Sequence, residues 1–157
     1  MKKFILLLMF CLMPLCCGCQ LIEGAIFIAM IEADADKPGN LTDREDVIAL
    51  YRDNEELFRT AAETNRFTDM ETIKGVSMVE IKDDYVRIEC GSMGLSVSGS
   101  AYGIYYSETD DLCALPPFAP SDPKAYKESG NGYLYDEHDS LYVEPLGNHY
   151  FYYEERW

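Results

Sequence analysis

A chain of 157 residues has room for one domain of ordinary size and one hydrophobic core. Its 28 acidic against 13 basic side chains leave a net charge of −15. That balance excludes nucleic acid and electrostatic docking on anionic lipid, both of which need clustered cations, and leaves basic proteins or metal cations as charged partners.

The amino terminus carries the clearest signal. Lys2 and Lys3 precede an apolar run over residues 4–13 that Pro14 breaks, the order of a secretory signal peptide. The run is too short to span a bilayer. Leu15-Cys16-Cys17-Gly18-Cys19 follows and resembles the lipobox of bacterial lipoproteins. The resemblance implies that residues 1–18 are removed, that Cys19 receives diacylglycerol, and that the chain is anchored in the cell membrane facing outside the cytoplasm. Two or three acyl chains make such an anchor stable, where one holds only marginally. An alternative joins residues 25–31 to the first apolar run as one uncleaved anchor, a reading interrupted by Pro14, Gly18, Gln20, Glu23 and Gly24. Under either, the carboxyl-terminal bulk lies outside.

Residues 19–40 read as a leader, with residues 21–31 a short helix or tether and residues 34–40, holding Pro38-Gly39, a loop. A single α+β domain over residues 41–157 follows. Thr42 and Glu45 have the spacing of a capping box, and Val47, Leu50, Tyr51, Leu57, Phe58 and Ala61 recur at helical spacing, which predicts one amphipathic helix over residues 43–64. From Val76 the period changes to two. A hairpin turning at Asp83-Asp84 puts Ile81 opposite Val86, Val79 opposite Ile88, Ser77 opposite Cys90 and Glu80 opposite Arg87. Residues 91–103 are rich in Gly and Ser, residues 102–107 read as a strand, and the prolines of residues 116–123 mark a loop. Residues 133–135, 141–144 and 148–153 read as short strands, the last two joined through residues 145–147. The expectation is one helix packed on an antiparallel sheet of about five or six strands.

The helix around Thr42, the Cys90-Gly91 turn, the segment Tyr102-Gly103-Ile104-Tyr105-Tyr106-Ser107-Glu108-Thr109-Asp110-Asp111 and the end His149-Tyr150-Phe151-Tyr152-Tyr153-Glu154 together resemble small secreted or lipoprotein families of Firmicutes. The resemblance implies an exported single domain with no assigned activity. It brings no catalytic residues.

Asp34, Asp36, Asn40 and Glu45 stand at ligand positions of a calcium-binding EF-hand loop, but Pro38 occupies a position where an oxygen ligand belongs, and a helix cap explains Glu45 without metal. No other metal site and no cofactor is expected. Cys90 and Cys113 remain once Cys19 is acylated. Either they are joined outside the cytoplasm, or Cys90 is a small buried residue on the face of Val86 and Ile88. His138 sits in an acidic turn and His149 in the predicted last strand, without the spacing of a zinc site. The glycines around Ser96 match neither a phosphate-binding loop nor a nucleophile turn.

Eleven of the twelve tyrosines lie from Tyr85 onward, and the last strand is aromatic on both faces. One face must pack on the helix. Tyr105, Tyr142, Tyr150 and Tyr152 are the candidates for an exposed binding face, against the plainer reading that aromatic residues fill a small core. The resulting expectation is a non-enzymatic binding module at the envelope, with a protein or wall glycan as partner. An acidic inhibitor or immunity-type protein is the rival within binding, and an envelope hydrolase using Asp110, Asp111, Glu137 or Glu144 the rival from another class.

Overall fold

The computed structural model describes residues 39–95, 98–115 and 119–157, all within a unit that begins at Asp34. The signal segment, Cys19, Asp34 and Asp36 lie outside the described residues. The described chain is α+β: two short helices and a seven-stranded antiparallel sheet, more strands than the sequence pattern suggested.

The helix predicted over residues 43–64 is broken into α1 (Arg44–Asp53) and α2 (Glu55–Thr64). Asn54 makes the break. Its side-chain amide donates to the Leu50 carbonyl at 2.8 Å, the competition for helix carbonyls that disfavours Asn inside helices. Nor is Thr42 the cap. Asp43 takes that role, its carboxylate accepting from the Glu45 N–H at 2.8 Å, while the Glu45 carboxylate pairs outward with Arg44. The predicted buried stripe holds, with Val47, Leu50, Tyr51, Phe58 and Ala61 buried, Leu57 partly so, and Ile48 added.

The strands are β1 (Met78–Ile81), β2 (Val86–Leu95), β3 (Ser98–Tyr106), β4 (Lys127–Ser129), β5 (Gly132–Asp136), β6 (Ser140–Gly147) and β7 (Tyr150–Arg156), in spatial order β1-β2-β3-β7-β6-β5-β4. The first hairpin has the predicted register, Ile81 opposite Val86, Glu80 opposite Arg87 and Val79 opposite Ile88, and it closes through a Lys82 N–H to Tyr85 carbonyl bond of 2.9 Å. A bulge between Glu89 and Gly91 then displaces Cys90 from regular pairing. The described residues of the Gly- and Ser-rich stretch are strand: β2 and β3 pair through Gly94 and Gly99 to Leu95 and Ser98. Small side chains read weakly as strand, yet at Gly103 smallness is required. A Cβ there would lie 2.2 Å from the Ile88 carbonyl oxygen and against the Tyr153 ring.

β3 and β7 pair at the centre of the sheet, Tyr106 opposite Tyr150 and Ala101 opposite Glu155. Both faces of this pair are covered. On one face, Val86, Ile88, Cys90, Tyr102, Ile104, Tyr150 and Tyr152 pack against Val47, Tyr51, Phe58 and Phe67 from the helical segment. Tyr51, Phe58 and Tyr150 interlock with ring centroids 5.1–5.5 Å apart, and the Tyr150 hydroxyl donates to the Phe58 carbonyl at 2.7 Å. The other face carries Tyr105, Leu141, Val143, Phe151 and Tyr153 beneath Leu112, Leu115, Ala119 and Tyr126 of the long β3–β4 connection.

That second core encloses charge. Glu155 is 1 % exposed and receives the Tyr105 hydroxyl and the Arg87 guanidinium, the latter at 2.9 Å; Arg87 also pairs with Glu89 at 3.0 Å and lies over the Tyr153 ring. Glu80, although opposite Arg87, pairs instead with Lys82. An ion pair so enclosed is costly to break from one side, by about 3–5 kcal/mol, because the remaining charge stays buried. Arg87→Met should therefore lower stability by about that amount in urea unfolding, and Arg87→Met with Glu155→Leu should restore most of it. Burial raises the Glu155 carboxyl above its ordinary value of 4.5, with Arg87 and Tyr105 opposing. A carboxyl raised on folding stabilises the fold fully below its unfolded value, and the contribution is lost as pH rises through the folded one. Wild type should thus gain stability relative to Glu155→Gln as pH is lowered from about 7 to about 4, the unfolding midpoints at the two pH values providing the check.

Candidate functional site

Three chain reversals meet at one end of the sheet, because Val86 of β2, Tyr106 of β3 and Tyr150 of β7 lie side by side across the strands. The β1–β2 turn, the exit from β3 and the β6–β7 turn are therefore neighbours. Pro145 and Gly147, predicted as part of a connection, belong to β6, which passes through an irregularity between them. The turn proper is Asn148-His149, with φ +52° and +67°. Positive φ at both central residues is what a two-residue hairpin of type I′ needs, and Gly is the usual second residue. Here a histidine occupies that place.

The exit from β3 turns back through an Asp110 N–H to Ser107 carbonyl bond of 3.1 Å, and the Ser107 N–H donates to the His149 carbonyl at 3.1 Å. These bonds bring the Asp110 carboxylate to 2.9 Å from His149 Nδ1. Asp110 also has positive φ, +56°. A carboxylate only accepts, so a bond to it calls for the proton on Nδ1 and leaves Nε2 as the other functional nitrogen. Both side chains are about half exposed, 48 % for His149 and 56 % for Asp110. They stand at the rim of an open cleft of about 600 Å³ whose walls are Leu112, Tyr133, Pro145, Asn148 and Phe151. Tyr133, 38 % exposed, is the most exposed of the described Phe, Tyr and Trp residues. Chemically the cleft offers an aromatic wall, a carboxylate, an amide and an oriented imidazole.

The predicted aromatic face does not form. Tyr105, Tyr150 and Tyr152 are 0–1 % exposed, Tyr105 on one side of the sheet and the other two on the opposite side. Their places on central strands covered on both faces make them core. Tyr142 alone is partly exposed, its hydroxyl donating to Glu144 at 3.0 Å. Cys90 and Cys113 are not bonded to each other. Cys90 is in the helix-side core, where burial raises its thiol to about 12, and Cys113 is in a short turn whose neighbours Leu112 and Leu115 pack on the other face. The sheet stands between them.

Of the described calcium candidates, Asn40 exchanges two hydrogen bonds with the Ser92 backbone and Glu45 pairs with Arg44. Among the described residues no three His, Cys, Asp or Glu side chains gather as a metal site, and no helix is long and apolar enough to cross a membrane. The four candidate carboxylates do not converge. Asp111 caps the turn at Cys113, Glu137 accepts from Tyr135, Glu144 is held by Arg44 at 2.6 Å, and only Asp110 faces the cleft. His138 is exposed in its acidic turn.

No protein-family model, curated protein or solved structure matches the chain.

A non-glycine residue held at positive φ costs stability unless the surroundings compensate, and such residues gather at functional sites. His149→Gly should accordingly keep or raise the unfolding midpoint while removing the imidazole from the cleft, whereas the β-branched His149→Val should lose about 1–2 kcal/mol. Thermal unfolding of the two variants beside wild type distinguishes a strained functional histidine from one that supports the turn.

Proposed function

We propose that the protein is a lipid-anchored, extracytoplasmic binding module of the kind suggested by its likeness to small Firmicutes lipoproteins. Its ligand is a wall glycan, held in the cleft of Asp110, Tyr133 and His149. The observation that carries this reading is the company Tyr133 keeps. A partly exposed ring beside a carboxylate, an amide and an imidazole suits a sugar, whose C–H face lies on the ring while its hydroxyls meet the polar groups. The net charge of −15 is consistent with an uncharged or cationic ligand and opposes a polyanionic one.

A second reading as an envelope hydrolase draws support from the same pair, since an imidazole oriented by a carboxylate is the arrangement of a general base, here with water as the nucleophile. Glu155, whose carboxyl burial raises, is sealed inside the second core and has no access to the cleft. Binding without turnover is the better-supported reading.

Detergent-solubilised full-length protein should co-sediment with purified wall sacculi, and Tyr133→Ala should weaken retention about tenfold. Unchanged retention would sink the glycan reading, while soluble fragments released by wild type but not by His149→Ala would select the hydrolase. For the anchor, radiolabelled palmitate should enter the wild-type chain in bacterial cells and be absent from Cys19→Ser, with the variant's signal segment left uncleaved. Equal labelling of the two would place the lipid elsewhere.

A further inference from the structure

On the opposite side of residues 106–110 from the glycan cleft lies a second groove, of about 540 Å³, between the β1–β2 turn and the carboxyl end of α2. Its floor is apolar and aromatic. Phe67 and Tyr106 lie with ring centroids 4.9 Å apart, and Ile81, Tyr85 and Val86 continue the lining. Ile81 is 48 % exposed and presents apolar surface at the edge of the groove.

The rim is anionic. Asp83 and Asp84 come from the β1–β2 turn and Glu108 from the exit of β3, and among the described residues none of the three forms an ion pair. Lys82, the one cation in the lining, has its ammonium 2.8 Å from Glu80. An independent contribution comes from α2, which ends at this groove. Asn65 closes that helix with φ +52° and lines the groove, and the last turn carries no basic residue to offset the negative end of the helix dipole, the following Arg66 being paired with Asp69 at 3.1 Å. The Tyr106 hydroxyl registers the same field: burial raises it, and the charges of Glu108 and Asp110 raise it further.

We infer that this groove receives a cationic side chain, arginine in preference to lysine, from a basic segment of a partner protein. Charge complementarity selects the partner's sign, and the rings select the planar guanidinium, which stacks on aromatic faces where an ammonium remains strongly hydrated. A single charged rim would attract any cation, but an aromatic floor beneath it discriminates between them. The excess of acids over the whole chain steers such a partner toward the protein and speeds encounter, while the groove supplies the specific contact.

The test is fluorescence anisotropy of a labelled oligoarginine, with an oligolysine of equal length beside it, against the full chain in non-ionic detergent. Oligoarginine is expected to bind several-fold more tightly than oligolysine. Asp83→Asn with Asp84→Asn and Glu108→Gln should weaken it about tenfold. The control combines Asp136→Asn, Glu137→Gln and Asp139→Asn, the same loss of charge at the opposite end of the sheet, and should weaken it less than about twofold. Equal losses in the two variants, or lysine binding as tightly as arginine, would overturn the proposal by reducing it to general attraction. All of these substitutions are on exposed or half-buried positions, and a retained unfolding midpoint confirms the fold of each variant. Wall co-sedimentation should be unchanged in the groove variant, so a failure here stands apart from a failure of the glycan reading.

Discussion

The pairing of β3 with β7 joins two meanders that are otherwise separate. Strands β1 to β3 form one and β4 to β7 the other, and the seam between them is the run of partners from Ser100 and Arg156 to Tyr106 and Tyr150. Because these strands are distant in the chain, closing the seam costs loop entropy that local hairpins do not pay. Burial on both faces provides the return. Tyr102 and Tyr152 go under the helices, Tyr105 and Tyr153 under the long connection, and Glu155 accepts from both Arg87 and the Tyr105 hydroxyl in between. A charge-bearing seam of this kind also specifies register, since sliding β7 by one residue would put Glu155 on the helix side, away from Arg87, and leave Arg87 with Glu89 alone.

The same pairing decides where function can be built. Once Tyr106 is opposite Tyr150, the residues leaving β3 and the turn entering β7 have to meet, and Asp110 and His149 are brought together across 39 positions of sequence. Val86, opposite Tyr106, brings the Asp83-Asp84 turn to the same end. Two recesses result on either side of residues 106–110, one walled by Tyr133 and Pro145, the other floored by Phe67 and Tyr106. The long β3–β4 connection contributes to both properties at once, sealing the second core with Leu112 and Leu115 and presenting Asp110 to solvent. On the two proposals together, wall glycan in one recess and a basic partner in the other would make the protein an adaptor between them.

Local pattern determined a good deal of this protein. The α+β class, the buried stripe of the helical region and the register around Asp83-Asp84 all follow from short-range order, because apolar periodicity and turn chemistry act over a few residues. Only the tertiary structure decided the rest. Asn54 broke the helix through a bond to a carbonyl one turn back, Gly- and Ser-rich residues became strand because β2 and β3 had partners, and Tyr150 and Tyr152 became core because their strand is covered twice. The Asp110 and His149 pair left a faint trace in the sequence, an Asn before a His at a hairpin tip, but its meaning rests on a distance that no local pattern encodes. Periodicity reports which face of an element is buried. Which distant elements share a face, and so which side chains can act together, is set by the order in which strands join the sheet.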